Sequence, residues 1–312
     1  MCKKQKVKVR PRIGIALGSG GARGYAHIGV LKALQEANIP IDIIAGTSMG
    51  AVVGAAYAAG YRIEELEDIA LKMRWRWILN LFDPTLPRQG IIAGNKVEKY
   101  FEILTQGKEF SQLRKPLTVV ATDIVSGEEV RISKGLVAKA LRASIAIPGV
   151  FSPVKIDERI LVDGSVTTPV PVRAAKEAGA DIVIAIDVSS NVDQTSTLVH
   201  TWKRIKNMPS QKVVRYIKNS RFEIINVLDN TLELCARPKE VSLNSGLHGK
   251  HYYLLKPEVG NIKWYEFYRA GECIRAGEIA GKKVTEKIKI ALDTGNFIEE
   301  GVKESFWELK AI

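Results

Sequence analysis

Ser48 stands in the stretch Gly46-Thr47-Ser48-Met49-Gly50, between a short, β-branched apolar run (Ile41-Asp42-Ile43-Ile44-Ala45) and a run of small residues from Ala51 to Ala59. The first run predicts a buried parallel strand and the second a closely packed helix. A chain that leaves a strand and enters a helix within so few residues must turn sharply. A neighbouring Cβ would clash in that turn, so glycines flank the serine. Gly-x-Ser-x-Gly in this setting is the nucleophile-elbow pattern. It predicts a serine hydroxyl exposed at a helix N-terminus, where backbone N–H groups and the helix dipole favour developing negative charge.

Strand-like and helix-like segments alternate along most of the chain. Residues 13–17 read as the first core strand, followed by the loop Gly18-Ser19-Gly20-Gly21-Ala22-Arg23-Gly24 and by a helix with Ile28, Leu31 and Leu34 on one face. Asn38 and Pro40 end that helix. Further helices are read over 63–73, 95–104, 135–143, 171–178, 213–234 and 265–292, and further strands over 117–121, 129–132, 160–164, 182–187 and 252–255. This alternation, in 312 residues of which 46% are hydrophobic, predicts one layered α/β domain over 13–292, between a basic N-terminal tail (1–12) and a C-terminal tail (293–312). The polar, aperiodic stretch 189–211 reads as a surface loop.

Composition limits the partners. The formal net charge of +12 and a pI near 9.5 favour anionic surfaces, either acidic phospholipid or nucleic acid; a solvated basic surface explains them equally well. Nucleic acid is not expected, because no helix-turn-helix, zinc or RNP-like motif is present. Cys2, Cys235 and Cys273 are sparse and lack metal spacing, which suggests a reducing compartment without a disulfide framework. No apolar leader precedes Gly18, and the stretch 43–60 fits a buried strand–turn–helix better than a membrane span. The expectation is a soluble, cytoplasmic chain. The Arg74–Phe82 stretch interleaves arginines and tryptophans with apolar residues and reads as core, with a lipid-interface contact as the alternative.

Serine hydrolysis needs a nucleophile, a base and oxyanion donors in one place. Ser48 is the candidate nucleophile and the loop 18–24 the candidate donor, since its glycines let backbone N–H groups approach a substrate oxygen. If the first two strands are parallel neighbours, loop and elbow share one sheet edge. Asp163 ends an apolar strand before Gly164 and is the candidate base; partial desolvation would raise its pKa and improve proton capture. An ordinary strand-end turn explains the same residues. His27 reads as a packed or capping residue, whereas His200, His248 and His251 follow Asp163 in the order an α/β-hydrolase with a histidine base would use. Gly18, Gly20 and Gly24 also match the dinucleotide fingerprint loosely, but Asp42 begins the second strand rather than ending it. A catalytically degenerate basic adaptor is the non-enzymatic alternative. No metal site is read, and no cofactor is expected.

The glycine loop continues into Tyr25-Ala26-His27-Ile28-Gly29-Val30-Leu31; after the elbow come Ala121-Thr122-Asp123, then Ala143-Ser144-Ile145-Ala146-Ile147-Pro148-Gly149-Val150-Phe151-Ser152-Pro153-Val154, then Val162-Asp163-Gly164-Ser165. In this order, over about 13–292, the motifs resemble the patatin-like phospholipase family in its bacterial branch. The resemblance implies a three-layer α/β/α fold with a mostly parallel sheet. It also implies a Ser48–Asp163 dyad without histidine, acting on carboxylic esters of phospholipids or lysophospholipids through an acyl-enzyme. Gly20, Gly21 and Ala22 would form the oxyanion hole, with Arg23, Gly46, Gly50 and Gly164 in support. Arg23 would brace the oxyanion loop or meet a phosphate. A peripheral place at the inner membrane surface, in transient contact with anionic lipid, goes with that activity. Two positions depart from the family pattern: Ser19 replaces the first glycine of the loop, and Ser165 replaces the glycine or alanine after Asp163-Gly164.

Overall fold

The computed structural model describes residues 10–73, 83, 92–189 and 252–294. The aromatic cluster 74–82, the helix read at 213–234, nearly all of the loop 189–211 and most of both tails lie outside the described residues, as do Cys2, Cys235, His200, His248 and His251.

The described strands are β1 (Ile13–Leu17), β2 (Ile43–Thr47), β3 (Leu117–Asp123), β4 (Glu129–Ile132), β5 (Val154–Ile156), β6 (Arg159–Asp163), β7 (Ile182–Ile186) and β8 (Tyr252–Leu255). They form one sheet of eight strands in the order β5-β6-β3-β2-β1-β7-β8, with β4 added to β3. The run β3-β2-β1-β7-β8 is parallel; β4, β5 and β6 join antiparallel. Every residue of β1, β2, β3 and β7 is buried, as expected of strands covered on both faces.

The described helices are α1 (Ala26–Glu36), α2 (Met49–Ala59), α3 (Ile63–Lys72), α4 (Asn95–Leu104), α5 (Val137–Ser144), α6 (Val172–Glu177) and α7 (Ala270–Thr294). All but α6 contribute to the large apolar core on one face, through residues such as Leu31, Ala55, Leu66, Phe101, Leu141 and Ile274. α6 covers the other face with Val172, Ala174 and Ala175 against Ala16, Ile43, Ala45 and Val183. The result is a three-layer α/β/α arrangement around a mixed, largely parallel sheet.

The pairing around β3 positions everything that follows. β2 pairs with its first half, Thr47 falling opposite Val120. β6 pairs with its second half, Asp163 falling opposite Ala121. β4 spans Val119 to Thr122 and overlaps both partners, so it occupies the opposite edge. β2 and β6 therefore share one edge of β3 and run toward each other until their C-terminal ends meet.

The structure differs from the sequence reading at several element ends. β2 starts at Ile43, because the Asp42 carboxylate takes the Ile13 N–H (2.8 Å) and the Arg10 guanidinium (2.7 Å) before the strand begins. Arg12, assigned to the tail, is held by Asp181 at 2.7 Å. β5 was not anticipated; its three residues pair with β6 across a tight turn in which Asp157 has φ 52°. α7 begins at Ala270 rather than 265, after a 3₁₀ turn over Phe267–Arg269.

α1 and α7 cross at very close range. A Cβ on Gly29 would overlap the Ile274 carbonyl, and one on Gly277 the Ala26 carbonyl. Gly271 on the same helix has room, its nearest neighbour being Leu71 Cδ2 at 3.5 Å. Gly277→Ala is therefore expected to destabilise the fold by about 1–3 kcal/mol through overpacking. Gly271→Ala should stay near wild type, and thermal denaturation of the two variants checks the contrast.

Candidate active site

Ser48 is the residue at which β2 leaves the sheet. Its backbone lies at φ 53°, ψ −123°, a conformation rarely open to a residue with a side chain. The flanking glycines are required by contact: a Cβ on Gly46 would press on Ala51 Cα at 2.5 Å, and one on Gly50 would overlap the Leu17 carbonyl. The turn aims the hydroxyl along the β3 edge, where its Oγ donates to Asp163 Oδ2 at 2.8 Å. The nucleophile-elbow pattern predicts an exposed hydroxyl; in the structure Ser48 is only 8% accessible, because the side chain faces Asp163 rather than solvent.

Asp163 closes β6 from the opposite direction. The chain cannot continue straight, since β2 already occupies the edge, and it bends into a 3₁₀ turn over Gly164–Val166. Gly164 lies flat on the Val120 carbonyl, which a Cβ would overlap. The Asp163 carboxylate accepts the Ser165 N–H at Oδ1 (2.8 Å) and the Ser48 hydroxyl at Oδ2. Thr122 Oγ1 donates to its carbonyl (3.0 Å), and its N–H donates to Ala146 (2.9 Å). The residue is 1% exposed. Burial pushes its pKa up to about 6, and the hydrogen bonds from Ser165 and Ser48 only partly oppose that rise.

The glycine loop lies against the elbow. β1 and β2 are parallel neighbours with Leu17 opposite Gly46. Gly24 packs on Met49, and Gly50 on the carbonyls of Leu17 and Gly18. Gly21, at φ +55°, folds the loop into a 3₁₀ turn against Trp264. That turn engages one expected oxyanion donor: the Ala22 N–H donates to the Trp264 carbonyl at 2.7 Å. Ala22 is thus corrected from oxyanion donor to an anchor of the loop. No carbonyl partner is found among the described residues for the N–H groups of Gly20 and Gly21. Arg23 is 3% exposed, and its Nε approaches the Gly20 carbonyl at 3.4 Å.

His27 is fully buried and donates from Nε2 to the Gly18 carbonyl at 2.7 Å. Burial lowers its pKa to about 4, so it packs beneath the loop as a neutral ring. No group of three or more metal-ligating side chains occurs among the described residues, and no described helix is long and apolar enough to cross a membrane. Sequence reasoning missed Ser144, whose Oγ accepts the Ser48 N–H (2.8 Å) and donates to the Val120 carbonyl (2.6 Å). The available signal was a hydroxyl among alanines on the buried face of α5.

An elbow serine bonded to a buried carboxylate, on an α/β/α sheet with a glycine loop alongside, is a hydrolase-type site. The family model for patatin-like phospholipases matches residues 15–176, from β1 into α6, and the chain belongs to that family. An uncharacterised NTE family protein of Mycobacterium tuberculosis is 44% identical over 181 residues, 58% of this chain and 50% of that protein. Lysophospholipase nte1 of Emericella nidulans is 29% identical, covering 89% of this chain and 18% of the fungal one. Patatin-like phospholipase domain-containing protein 6 of mouse is 30% identical, covering 87% and 20%. The chain thus spans about half the length of the mycobacterial relative and about a fifth of the fungal and mouse ones. Among solved structures, VipD from Legionella pneumophila shares the fold at TM-score 0.50 and 14% identity, covering 89% of this chain and 67% of VipD.

The buried carboxylate has a thermodynamic signature. Because the folded pKa (about 6) lies above the ordinary aspartate value of 3.8, the native state holds this proton more tightly than the unfolded chain. The resulting stability is complete below about pH 4 and is lost as pH rises through 6, on the order of 3 kcal/mol in all. Asp163→Asn cannot ionise and keeps the shape. It should melt above the wild type at pH 8, with the gap closing below pH 4, as read by calorimetry across that range.

Proposed function

We propose that this chain is a serine acyl hydrolase that cleaves carboxylic esters of phospholipids or lysophospholipids, with Ser48 as nucleophile and Asp163 as base. The observation that carries the reading is the 2.8 Å hydrogen bond from Ser48 Oγ to a carboxylate withdrawn from water. An aspartate near pKa 4 is a poor acceptor for a serine proton; one at about 6 is better matched and still ionised at neutral pH. Family membership and the fungal relative's name, lysophospholipase, support a lipid ester as substrate. The net charge of +12 supports a transient approach to an anionic lipid surface.

The proton inventory closes. Ser48 Oγ attacks the ester carbonyl carbon while its proton passes to Asp163. The carbonyl oxygen becomes an oxyanion, held by the N–H groups of Gly20 and Gly21 and by the α2 N-terminus. The C–O bond to the alcohol breaks, the alcohol takes the proton from Asp163, and the acyl group remains on Ser48. Water then gives a proton to Asp163 and attacks the acyl carbon. The bond to Oγ breaks, Ser48 recovers its proton, and the fatty acid leaves. Arg23 supports the donors through the Gly20 carbonyl, while Gly46, Gly50 and Gly164 permit the close packing that holds the pair.

A fluorophosphonate probe is expected to label the wild type at Ser48 and to leave Ser48→Ala unlabelled. Asp163→Asn should lower hydrolysis of a lysophospholipid or a short p-nitrophenyl ester by at least about 10³-fold, within the range seen when a catalytic base is removed. In the wild type kcat/KM should rise with pH through about 6 and then level off, as Asp163 loses its proton. Labelling that persists in Ser48→Ala, or full turnover by Asp163→Asn, would refute the assignment.

A further inference from the structure

We propose that Ser144 is a positioning residue whose hydroxyl, wedged between the Ser48 amide and the Val120 carbonyl, sets the stance of the elbow. The inference rests on the reading of Ser48 and Asp163 as nucleophile and base. Its evidence is the hydrogen-bond register of β2 on β3. Ile44 pairs with Leu117 and donates its N–H to the Pro116 carbonyl at 2.9 Å. In a parallel ladder every second residue repeats that bond to the same edge. Gly46 pairs with Val119 and is next in line. Ser48 follows, and its N–H falls in register for the Val120 carbonyl. That bond is not made. Ser144 Oγ stands between the two groups, accepting from Ser48 N–H at 2.8 Å and donating to Val120 O at 2.6 Å.

A hydroxyl is the smallest group that can both accept and donate, so it extends the ladder by one relay and lifts Ser48 off β3 without leaving either backbone group unpaired. Ser144 is fully buried, in a position where an unmatched polar group is costly. The lift lets the strained φ of 53° persist and points Oγ along the edge toward Asp163. The same short segment also holds the partner, since the Ala146 carbonyl accepts the Asp163 N–H at 2.9 Å. The end of α5 thus sets both halves of the dyad. Without the hydroxyl, the ladder closes directly onto Val120 and draws the Ser48 amide back toward β3, away from the carboxylate.

The test counts active sites separately from their rate. Wild type, Ser144→Ala and Ser144→Cys are titrated with a fluorophosphonate probe, and acylation by a p-nitrophenyl ester is measured per titrated site across pH. Ser144→Ala is expected to acylate about 10- to 100-fold more slowly per site with KM unchanged, the scale of a small misplacement of a reacting group. Its acidic limb should move upward, because Asp163 loses the hydroxyl bond that lowers its pKa. Ser144→Cys, with a weaker donor and acceptor of similar shape, should fall between the two. A purely structural role would reduce the number of titrated sites and leave the rate per site and the pH limb unchanged; that result in both variants overturns the proposal. Absence of Ser48-dependent labelling in the wild type overturns the nucleophile assignment and this inference together. Intact wild-type labelling with unaltered variants overturns this inference alone.

Discussion

One edge of one strand organises the molecule. β3 offers its edge to two strands that approach from opposite ends, β2 with Thr47 at Val120 and β6 with Asp163 at Ala121. Neither can extend without running into the other. β2 escapes through a positive-φ serine into α2, and β6 through a 3₁₀ turn at Gly164. The collision leaves Ser48, the first residue past β2, facing Asp163, the last of β6, across a gap of hydrogen-bond length. Residues 115 positions apart in sequence meet because strand register fixes both ends. The sheet is thus a measuring device as well as a scaffold, since a slip of one residue in either strand would turn its terminal side chain to the other face.

Burial then sets the proton affinity of the carboxylate. Withdrawing Asp163 from solvent raises its pKa to about 6 and needs no second charged group. The buried histidine of the same region is shifted the opposite way, to about 4, by the same desolvation. One environment therefore raises the proton affinity of the carboxylate and keeps the imidazole uncharged. The site lowers the stability of the fold at neutral pH, and the fully buried strands around it supply the offsetting apolar contacts.

Much of the fold was legible in the sequence because it is written locally. β-branched runs gave β1, β3 and β7, and the glycine–serine–glycine stretch between a strand and an alanine-rich helix gave the elbow. The pairing that brings Asp163 to Ser48 is not local, and it rested on the family resemblance. β5 is too short for its alternation to register, and only its antiparallel partner makes it a strand. The Ala22 N–H was misread because its partner, Trp264, lies more than two hundred residues away and leaves no trace in the loop itself. Ser144 differs: a hydroxyl among alanines on the buried face of a helix marks the position, but the groups it bridges, the Ser48 amide and the Val120 carbonyl, lie on other elements and are not legible in that helix.

The two departures from the family pattern have little leverage for a related reason, namely that backbone groups rather than side chains do the work at both positions. Ser19 donates its N–H to the Pro169 carbonyl at 2.8 Å, so that position anchors the loop through its backbone, while Gly24 on Met49 and the Gly18 carbonyl on Gly50 make the loop's contacts with the elbow. At Ser165 the main contact with Asp163 is again the amide, at 2.8 Å to Oδ1, a bond that glycine or alanine would make equally. The added hydroxyl pulls the carboxylate pKa down, but less than the amide does and far less than burial raises it. Burial therefore sets the proton affinity of this carboxylate more than the identity of the residue that follows Gly164.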